Sequence, residues 1–338
     1  MSKKILAGIL VLVLILGLAG CQKKTPVNNS DSDIEQQEEP AKEPGTDAED
    51  GDEGEDLPEV ILGVCRSVDA LPLFTMQMKE LDFEQGFGLS IIQYDSFEEL
   101  NTAFQNKEVD GMLTDSAAVF ASQGQDRKLK ITGPADGVVS LLAGPESGMT
   151  ELSQCNGKMV CMPENTGMEY ILDYLLAQNN YVDTYVDKSK ADSYETVLMI
   201  LEEEPDLLVL LPEPYATMAK QQGARELMST KTYGLMPFVT AFGEDFLEEK
   251  ADLSGAFCAA YEKAVTELAS QDMQEKMNLF ALDTGIPEQS LNGMILPDYR
   301  SSQLPSEEEL EDVYYWCLSK ELYNGEFNRS EMVYVPGE

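Results

Sequence analysis

Residues 157–176, which read GKMVCMPENTGMEYILDYLL, combine a short strand, a turn and an amphipathic helix. The apolar run 159–162 has the length of a buried strand, and Pro163 ends it because proline cannot donate a ladder hydrogen bond. Thr166 and Glu169 match a capping box, so the following helix is predicted to begin at Thr166. Its apolar face comprises Met168, Ile171, Leu172, Leu175 and Leu176. Such a strand-to-helix turn lies where open α/β sheets bind ligands, and an ordinary capped helix is the alternative.

The same strand-to-helix order recurs along the chain. Short apolar runs alternate with helical periodicity, and these runs are residues 60–64, 89–94, 109–113, 129–132 and 207–211. This alternation predicts parallel sheets with right-handed crossovers. Residues 181–186 are a weak strand candidate, and the runs 138–143 and 237–241 are predicted to cross between two lobes. About 280 residues after the leader and tether are enough for two such lobes.

The first 21 residues form a leader. Lys3 and Lys4 precede an apolar run at 5–18, and the sequence LAGC at 18–21 resembles the lipobox of bacterial lipoproteins. That resemblance implies that Cys21 becomes the first mature residue and carries the lipid. A transmembrane helix is the alternative, and the apolar run is short for one.

An acidic tether follows the leader. Residues 22–56 hold thirteen Asp or Glu against three lysines and almost no large apolar side chains, so they cannot bury enough surface to fold. The whole chain has a net charge of −39. The leader carries two positive charges and the tether ten net negative ones, which leaves −31 for residue 57 onward. This charge argues against nucleic-acid binding, and histidine is absent, which removes the commonest general base and zinc ligand.

Five cysteines follow the leader, at positions 65, 155, 161, 258 and 317. An odd number cannot all pair. Cys155 and Cys161 flank a possible turn, so a local disulfide and small buried thiols both remain open.

Four segments, taken in order, resemble the periplasmic-binding-protein-like type II fold of lipid-anchored substrate-binding proteins of ABC importers. These segments are 109–118 (VDG, then TDSAA), 140–160 (ending in GKMV), 163–168 (PENTGM) and 211–216 (LPEPYA). The resemblance extends from Val60 to Lys263, and its closest branch binds sulfonates, taurine, nitrate and thiamine precursors. It implies two doubly wound α/β lobes joined by two crossing strands, with the ligand in the cleft between them. The expected organisation is a lipoprotein signal peptide at 1–21, a disordered tether at 22–57, lobe 1 at 58–137 plus 242–338, and lobe 2 at 138–241.

The candidate ligand-binding residues follow strands whose carboxyl ends are expected to converge on that cleft. In the first lobe they are Arg66, Ser67, Thr114, Asp115 and Ser116. In the second lobe they are Asn165, Thr166, Gly167, Glu213 and Tyr215. Their hydroxyl, amide, carboxylate and N–H groups can hydrogen-bond a solute, and the Tyr215 ring offers a flat face. Arg66 is the best anion partner, with a surface salt bridge as its alternative.

Glu164 and Glu169 flank the helix start and partly satisfy its dipole, and with Asp69, Asp115 and Glu213 nearby the cleft is expected to be acidic. A neutral or cationic heterocycle of the thiamine-precursor type therefore fits as well as a sulfonate or nitrate-like anion. Related pyrimidine-forming enzymes depend on a histidine and a cysteine-rich motif, and both are missing, so no catalytic residue, cofactor or metal is expected. The expectation is a monomeric binding module, anchored by lipid on the extracytoplasmic face of the cell membrane and serving an ABC permease. A surface lipoprotein that kept the fold without a transport role is the alternative.

Overall fold

The computed structural model describes residues 57–178 and 186–335, and in these ranges ten strands form two five-stranded sheets. The predicted leader with Cys21 and the tether up to residue 56 lie outside the described residues. Within the described ranges, none of the helices combines the length and apolar character needed to cross a bilayer.

The first sheet has the strand order β2-β1-β3-β10-β4. Its strands are β1 (Glu59–Cys65), β2 (Gly88–Tyr94), β3 (Gly111–Asp115), β4 (Leu129–Pro134) and β10 (Phe238–Gly243). Strand β1 pairs in parallel with β2 and β3, whereas β10 is antiparallel to both β3 and β4. The return strand therefore makes the sheet mixed, which strand–helix alternation alone does not predict.

The second sheet repeats this plan with the order β7-β6-β8-β5-β9. Its strands are β5 (Val139–Ala143), β6 (Met159–Pro163), β7 (Asp187–Ala191), β8 (Leu208–Pro212) and β9 (Arg225–Ser229). The weak strand predicted at 181–186 falls largely outside the described residues, and the edge strand is the polar segment β7. An edge strand needs apolar side chains on one face at most, so its sequence carries little strand signal.

Helices flank both sheets. They are α1 (Leu71–Met78), α2 (Leu81–Glu84), α3 (Phe97–Gln105), α4 (Ser116–Ser122), α5 (Thr166–Gln178), α6 (Tyr194–Glu203), α7 (Tyr215–Gln221), α8 (Thr230–Tyr233), α9 (Glu244–Glu249), α10 (Ala251–Ser270), α11 (Met273–Thr284), α12 (Glu307–Ser319) and α13 (Arg329–Met332). Helices α1 and α2 are separate elements because Glu80 between them has a left-handed backbone, with φ of 56°. Helices α3 and α12 are capped by serine, since Ser96 and Ser306 each accept a hydrogen bond from the third helical N–H.

The predicted fold class is confirmed: the chain is α/β, with two lobes that each contain one sheet. We call the first sheet with its flanking helices the first lobe, and the second sheet with α5–α8 the second lobe. Residues 135–138 and 230–237 connect the two sheets. Asp136 in the first connection is fully buried and forms an ion pair of 2.7 Å with Arg300, which ties this connection to the C-terminal part of the chain.

Candidate functional site

The boundary between the lobes has two regions. In one region, which we call the joint, side chains of both lobes pack directly on each other around Tyr194 and Tyr215. In the other, which we call the cleft, the lobes leave an open space of about 670 Å³.

Three walls surround the cleft. The first lobe contributes Phe97, Glu98, Met112 and Thr114, among others. The second lobe contributes Glu164, Asn165, Glu169 and Lys190. The third wall consists of Trp316, Lys320 and Leu322, from the end of α12 and just beyond it. A space of this size lies in the range that binds small organic molecules.

The first wall is positioned by the end of β3. Strand β3 extends to Asp115, and the Asp115 carboxylate caps α4 by accepting a hydrogen bond from the Ala118 N–H at 2.8 Å. Thr114 lines the cleft, is only 2% exposed, and its Oγ1 atom has no hydrogen-bond partner among the described residues. A buried hydroxyl without a partner is uncommon, because the lost hydration costs about 1–3 kcal/mol.

The second wall is positioned by the turn between β6 and α5. The Asn165 side chain accepts a hydrogen bond from the Met168 N–H at 3.1 Å, so Asn165 caps α5. The helix begins at Thr166 as predicted, but its capping side chain lies one residue earlier than expected. The Thr166 side chain is outside the described part of the structure.

Gly167 brings this turn against the first lobe. A Cβ atom at Gly167 would lie 2.7 Å from the Cβ of Asp115, closer than real contacts allow. The predicted convergence of the β3 and β6 loops is therefore a direct contact between the lobes, and glycine is the residue that permits it.

Glu169 is the centre of a charge network on the second and third walls. Its carboxylate lies 3.0 Å from the Lys188 ammonium, 3.1 Å from that of Lys320 and 3.5 Å from that of Lys190. Partial burial alone would raise the pKa of Glu169, but hydrogen bonds from Lys188 and Lys320 outweigh it and hold this pKa at about 2. Asp173 extends the network, at 2.7 Å from Lys188 and 3.0 Å from Lys320.

The third wall is held to both lobes. Helix α12 packs on α4 of the first lobe. Trp316 packs edge-on against Tyr170 of α5 with ring centroids 5.5 Å apart, and its Nε1–H donates to Asp173 at 3.1 Å. The Lys320 ammonium lies 5.5 Å from the Trp316 ring centroid. No motif of the sequence points to this role, although Trp316 is the only tryptophan of the sequence.

The joint contains two of the predicted binding residues. Arg66 forms ion pairs with Asp95 of its own lobe and, at 3.4 Å, with Glu195 of the second lobe. The Tyr215 hydroxyl donates to the same Glu195 carboxylate at 2.5 Å, and its ring is 2% exposed. Tyr194 fills the remaining space, with ring centroids 5.0 Å from Tyr215 and 6.0 Å from Phe97.

Three other predicted residues bond within the protein, away from the cleft. Ser67 is buried and hydrogen-bonds Asp69, and the buried Ser116 hydroxyl donates to the Pro237 carbonyl at 3.4 Å. Glu213 is fully buried; it lies 3.2 Å from the Lys220 ammonium and accepts a hydrogen bond from the Thr217 N–H. Burial raises the pKa of Glu213, although the hydrogen bonds from Thr217 and Lys220 act in the opposite direction.

Nine of the ten predicted site residues therefore separate by position, and the side chain of the tenth, Thr166, lies outside the described part of the structure. Thr114 and Asn165 line the cleft, Asp115 and Gly167 meet at the lobe boundary, Arg66 and Tyr215 lie in the joint, and Ser67, Ser116 and Glu213 are engaged elsewhere. Within the described ranges the five cysteines are free thiols, so Cys155 and Cys161 are not paired. The same ranges contain no cluster of three or more side chains suited to a metal ion.

No protein-family model matches the sequence, and no curated protein matches it significantly. Solved structures do share its fold. The ligand-binding component of an ABC-type import system from Staphylococcus aureus, solved with zinc bound, superposes with a TM-score of 0.68 at 13% identity, over 82% of this chain and 96% of that one. The periplasmic aliphatic sulphonate binding protein SsuA from Escherichia coli gives 0.66 at 14% identity, over 83% and 93% of the two chains.

The periplasmic nitrate-binding protein NrtA from Synechocystis is similar to the same extent. Its TM-score is 0.65 at 11% identity, over 79% of this chain and 82% of that one. These similarities show that the chain has the fold of periplasmic binding proteins.

Proposed function

We propose that this chain is an extracytoplasmic solute-binding lipoprotein, which captures a small organic molecule in the cleft and delivers it to the permease of an ABC importer. The observation that carries the proposal is the cleft itself, because side chains of both lobes and of α12 face one space of about 670 Å³. A solute that contacts all three walls stabilises an arrangement in which the two lobes are close together. It can make all of these contacts at once only in that arrangement. The shared fold of import-system binding proteins supports the same role.

The proposed binding residues are those that line the cleft. Thr114 and Asn165 supply a hydroxyl and an amide, and Trp316 supplies an aromatic face. Thr166 and the backbone N–H of Gly167 stay predictions. Arg66 and Tyr215 hold the lobes together in this scheme, since their polar groups already bond Glu195. The proposed role is solute binding, for which the described residues of the cleft supply hydrogen-bonding groups and an aromatic face.

A test of solute binding is native mass spectrometry of the full chain, released from detergent micelles. We expect a retained small molecule, and Thr114→Val should weaken its retention about threefold to tenfold by removing one buried hydrogen-bonding group. Thr266→Val, on an exposed face of α10, is the matched control and should leave retention unchanged. Absence of any retained compound, together with no stabilisation by a solute library, would refute solute binding.

That refuting outcome would favour the alternative, a surface lipoprotein with the same fold and no transport role. The joint is the observation that favours it, since aromatic rings already fill part of the lobe boundary. The lipid anchor is tested separately. Cys21→Ala should move the chain from the membrane fraction to the soluble fraction, whichever role is correct.

A further inference from the structure

We propose that the cleft selects a flat aromatic solute that is neutral or positively charged, and that it discriminates against anions. This inference rests on the proposed function and specifies the class of its ligand. The inference follows from the ion pairs that the charged side chains of the cleft already form.

The cations of the cleft are already occupied. Lys320 lies 3.1 Å from Glu169 and 3.0 Å from Asp173, and Lys190 lies 3.5 Å from both Glu164 and Glu169. Arg66, the expected anion partner, is paired with Asp95 and Glu195 in the joint. An anionic solute would have to replace carboxylates that are held in place by the fold, so it gains little from these side chains.

Negative charge, by contrast, is available at the cleft. Glu98 lines it, is exposed, and has no ion-pair partner among the described residues. The same carboxylate lines a neighbouring surface groove of about 690 Å³, together with Glu99, Glu108 and Asp192. None of the residues lining this groove is basic, so the potential at this edge of the cleft is negative.

The shape and polarity of the walls indicate the aromatic body and the hydrogen-bonding groups of the ligand. Phe97, Met112 and Trp316 present two rings and a thioether, which suit a flat aromatic body. The Thr114 hydroxyl has no partner in the described structure, and Asn101 and Asn165 add amide groups. A neutral or cationic ring with one or two hydrogen-bonding groups meets all of these features, and the aromatic faces further favour a cation.

The test uses three probes that share a benzene ring and differ in charge. Benzamidinium is positive, benzamide is neutral and benzenesulfonate is negative. Each is added at about 10 mM to the full chain, and the shift in melting temperature measures binding. Benzamidinium and benzamide should raise the melting temperature, and benzenesulfonate should not. Glu98→Gln should weaken benzamidinium about threefold to fivefold and leave benzamide unchanged. Glu203→Gln, an exposed carboxylate of α6 that does not line the cleft, is the matched control and should change neither.

Stabilisation by benzenesulfonate, stabilisation by none of the three probes, or equal responses of the parent and Glu98→Gln to benzamidinium would each overturn the ligand class. These outcomes are distinct from failure of the proposed function. A retained anion found by native mass spectrometry would overturn this inference and leave solute binding intact, whereas an empty protein that no solute stabilises would overturn both.

Discussion

The joint and the cleft lie on the same boundary between the lobes, and Phe97 contributes to both. In the joint, Phe97 of the first lobe meets Tyr194 of the second, and Arg66 forms ion pairs with Asp95 and Glu195. In the cleft, Thr114 and Asn165 line a space that stays open, and α12 forms one side of it. The same lobe boundary is therefore packed where rings of the two lobes meet and open where the ends of β3 and β6 lie beside α12.

The largest effect on stability is expected for Tyr215→Ala, which tests whether the joint is a packed core. The fully packed ring should leave a cavity, and the free energy of unfolding should fall by about 3–5 kcal/mol in urea titrations. Tyr315→Ala, at a tyrosine that is 63% exposed, should change it by less than about 0.5 kcal/mol. Equal effects of the two substitutions would mean that the joint is not a packed core.

The charge network beside the cleft should make the stability of the protein depend on pH in the acidic range. The pKa of Glu169 is about 2 in the folded protein and near 4.5 when unperturbed, so its stabilisation is present above pH 4.5 and is lost as the pH falls toward 2. Glu169→Gln should therefore lower the free energy of unfolding by up to about 3 kcal/mol at pH 7. The difference in free energy of unfolding between the parent and the variant should decrease progressively below pH 4.5, as measured by denaturation at a series of pH values.

One control sharpens this measurement. Glu203→Gln removes an exposed carboxylate and should change the free energy of unfolding at pH 7 by less than about 0.5 kcal/mol. A difference for Glu169→Gln that stays constant from pH 7 to pH 3 would contradict the ion-pair assignment.

Gly167→Ala tests the contact between the two loops at the lobe boundary. Its Cβ would meet Asp115 at 2.7 Å, so the substitution should lower the free energy of unfolding by about 1–3 kcal/mol. Gly255→Ala is the matched control, because a Cβ there meets nothing within 4 Å and the site lies inside α10. It should stabilise the protein by about 0.5–1 kcal/mol. Stabilisation by both substitutions would show that the lobes do not touch at Gly167.

Trp316→Phe should have the smallest effect on stability and a clear effect on binding. It keeps an aromatic ring on Tyr170 but removes the Nε1–H bond to Asp173, so the free energy of unfolding should fall by about 0.5–1.5 kcal/mol. Retention of the co-purified solute in native mass spectrometry should fall as the smaller ring leaves part of the cleft wall open. Full retention would remove Trp316 from the proposed binding residues.

Much of the fold follows from local signals in the sequence. The apolar runs predicted eight of the ten strands to within about two residues at each end, and the capping pattern after Pro163 placed the start of α5 at Thr166. These signals are local because a buried strand needs a continuous apolar run and a helix start needs one oxygen at a fixed offset. The polar edge strand β7 meets neither condition, which explains why it was missed.

The candidate site was predicted only in part, because its final arrangement depends on distant residues. Thr114 and Asn165 could be placed at strand ends, and they do line the cleft. Whether Tyr215 faces a solute or a partner ring depends on Tyr194 and Phe97, which no local pattern connects with it. The contact between Trp316 and Asp173 joins positions 143 residues apart, so sequence periodicity gives no indication of it.

The third wall has a consequence for the order in which the protein is completed. All ten strands of the described structure precede residue 244, whereas Trp316, Lys320 and Leu322 come from the last part of the chain. A nascent polypeptide that has emerged as far as residue 300 thus carries both sheets and only two walls of the cleft. Premature termination near that point would yield a product with all ten of these strands and a cleft that lacks its third wall.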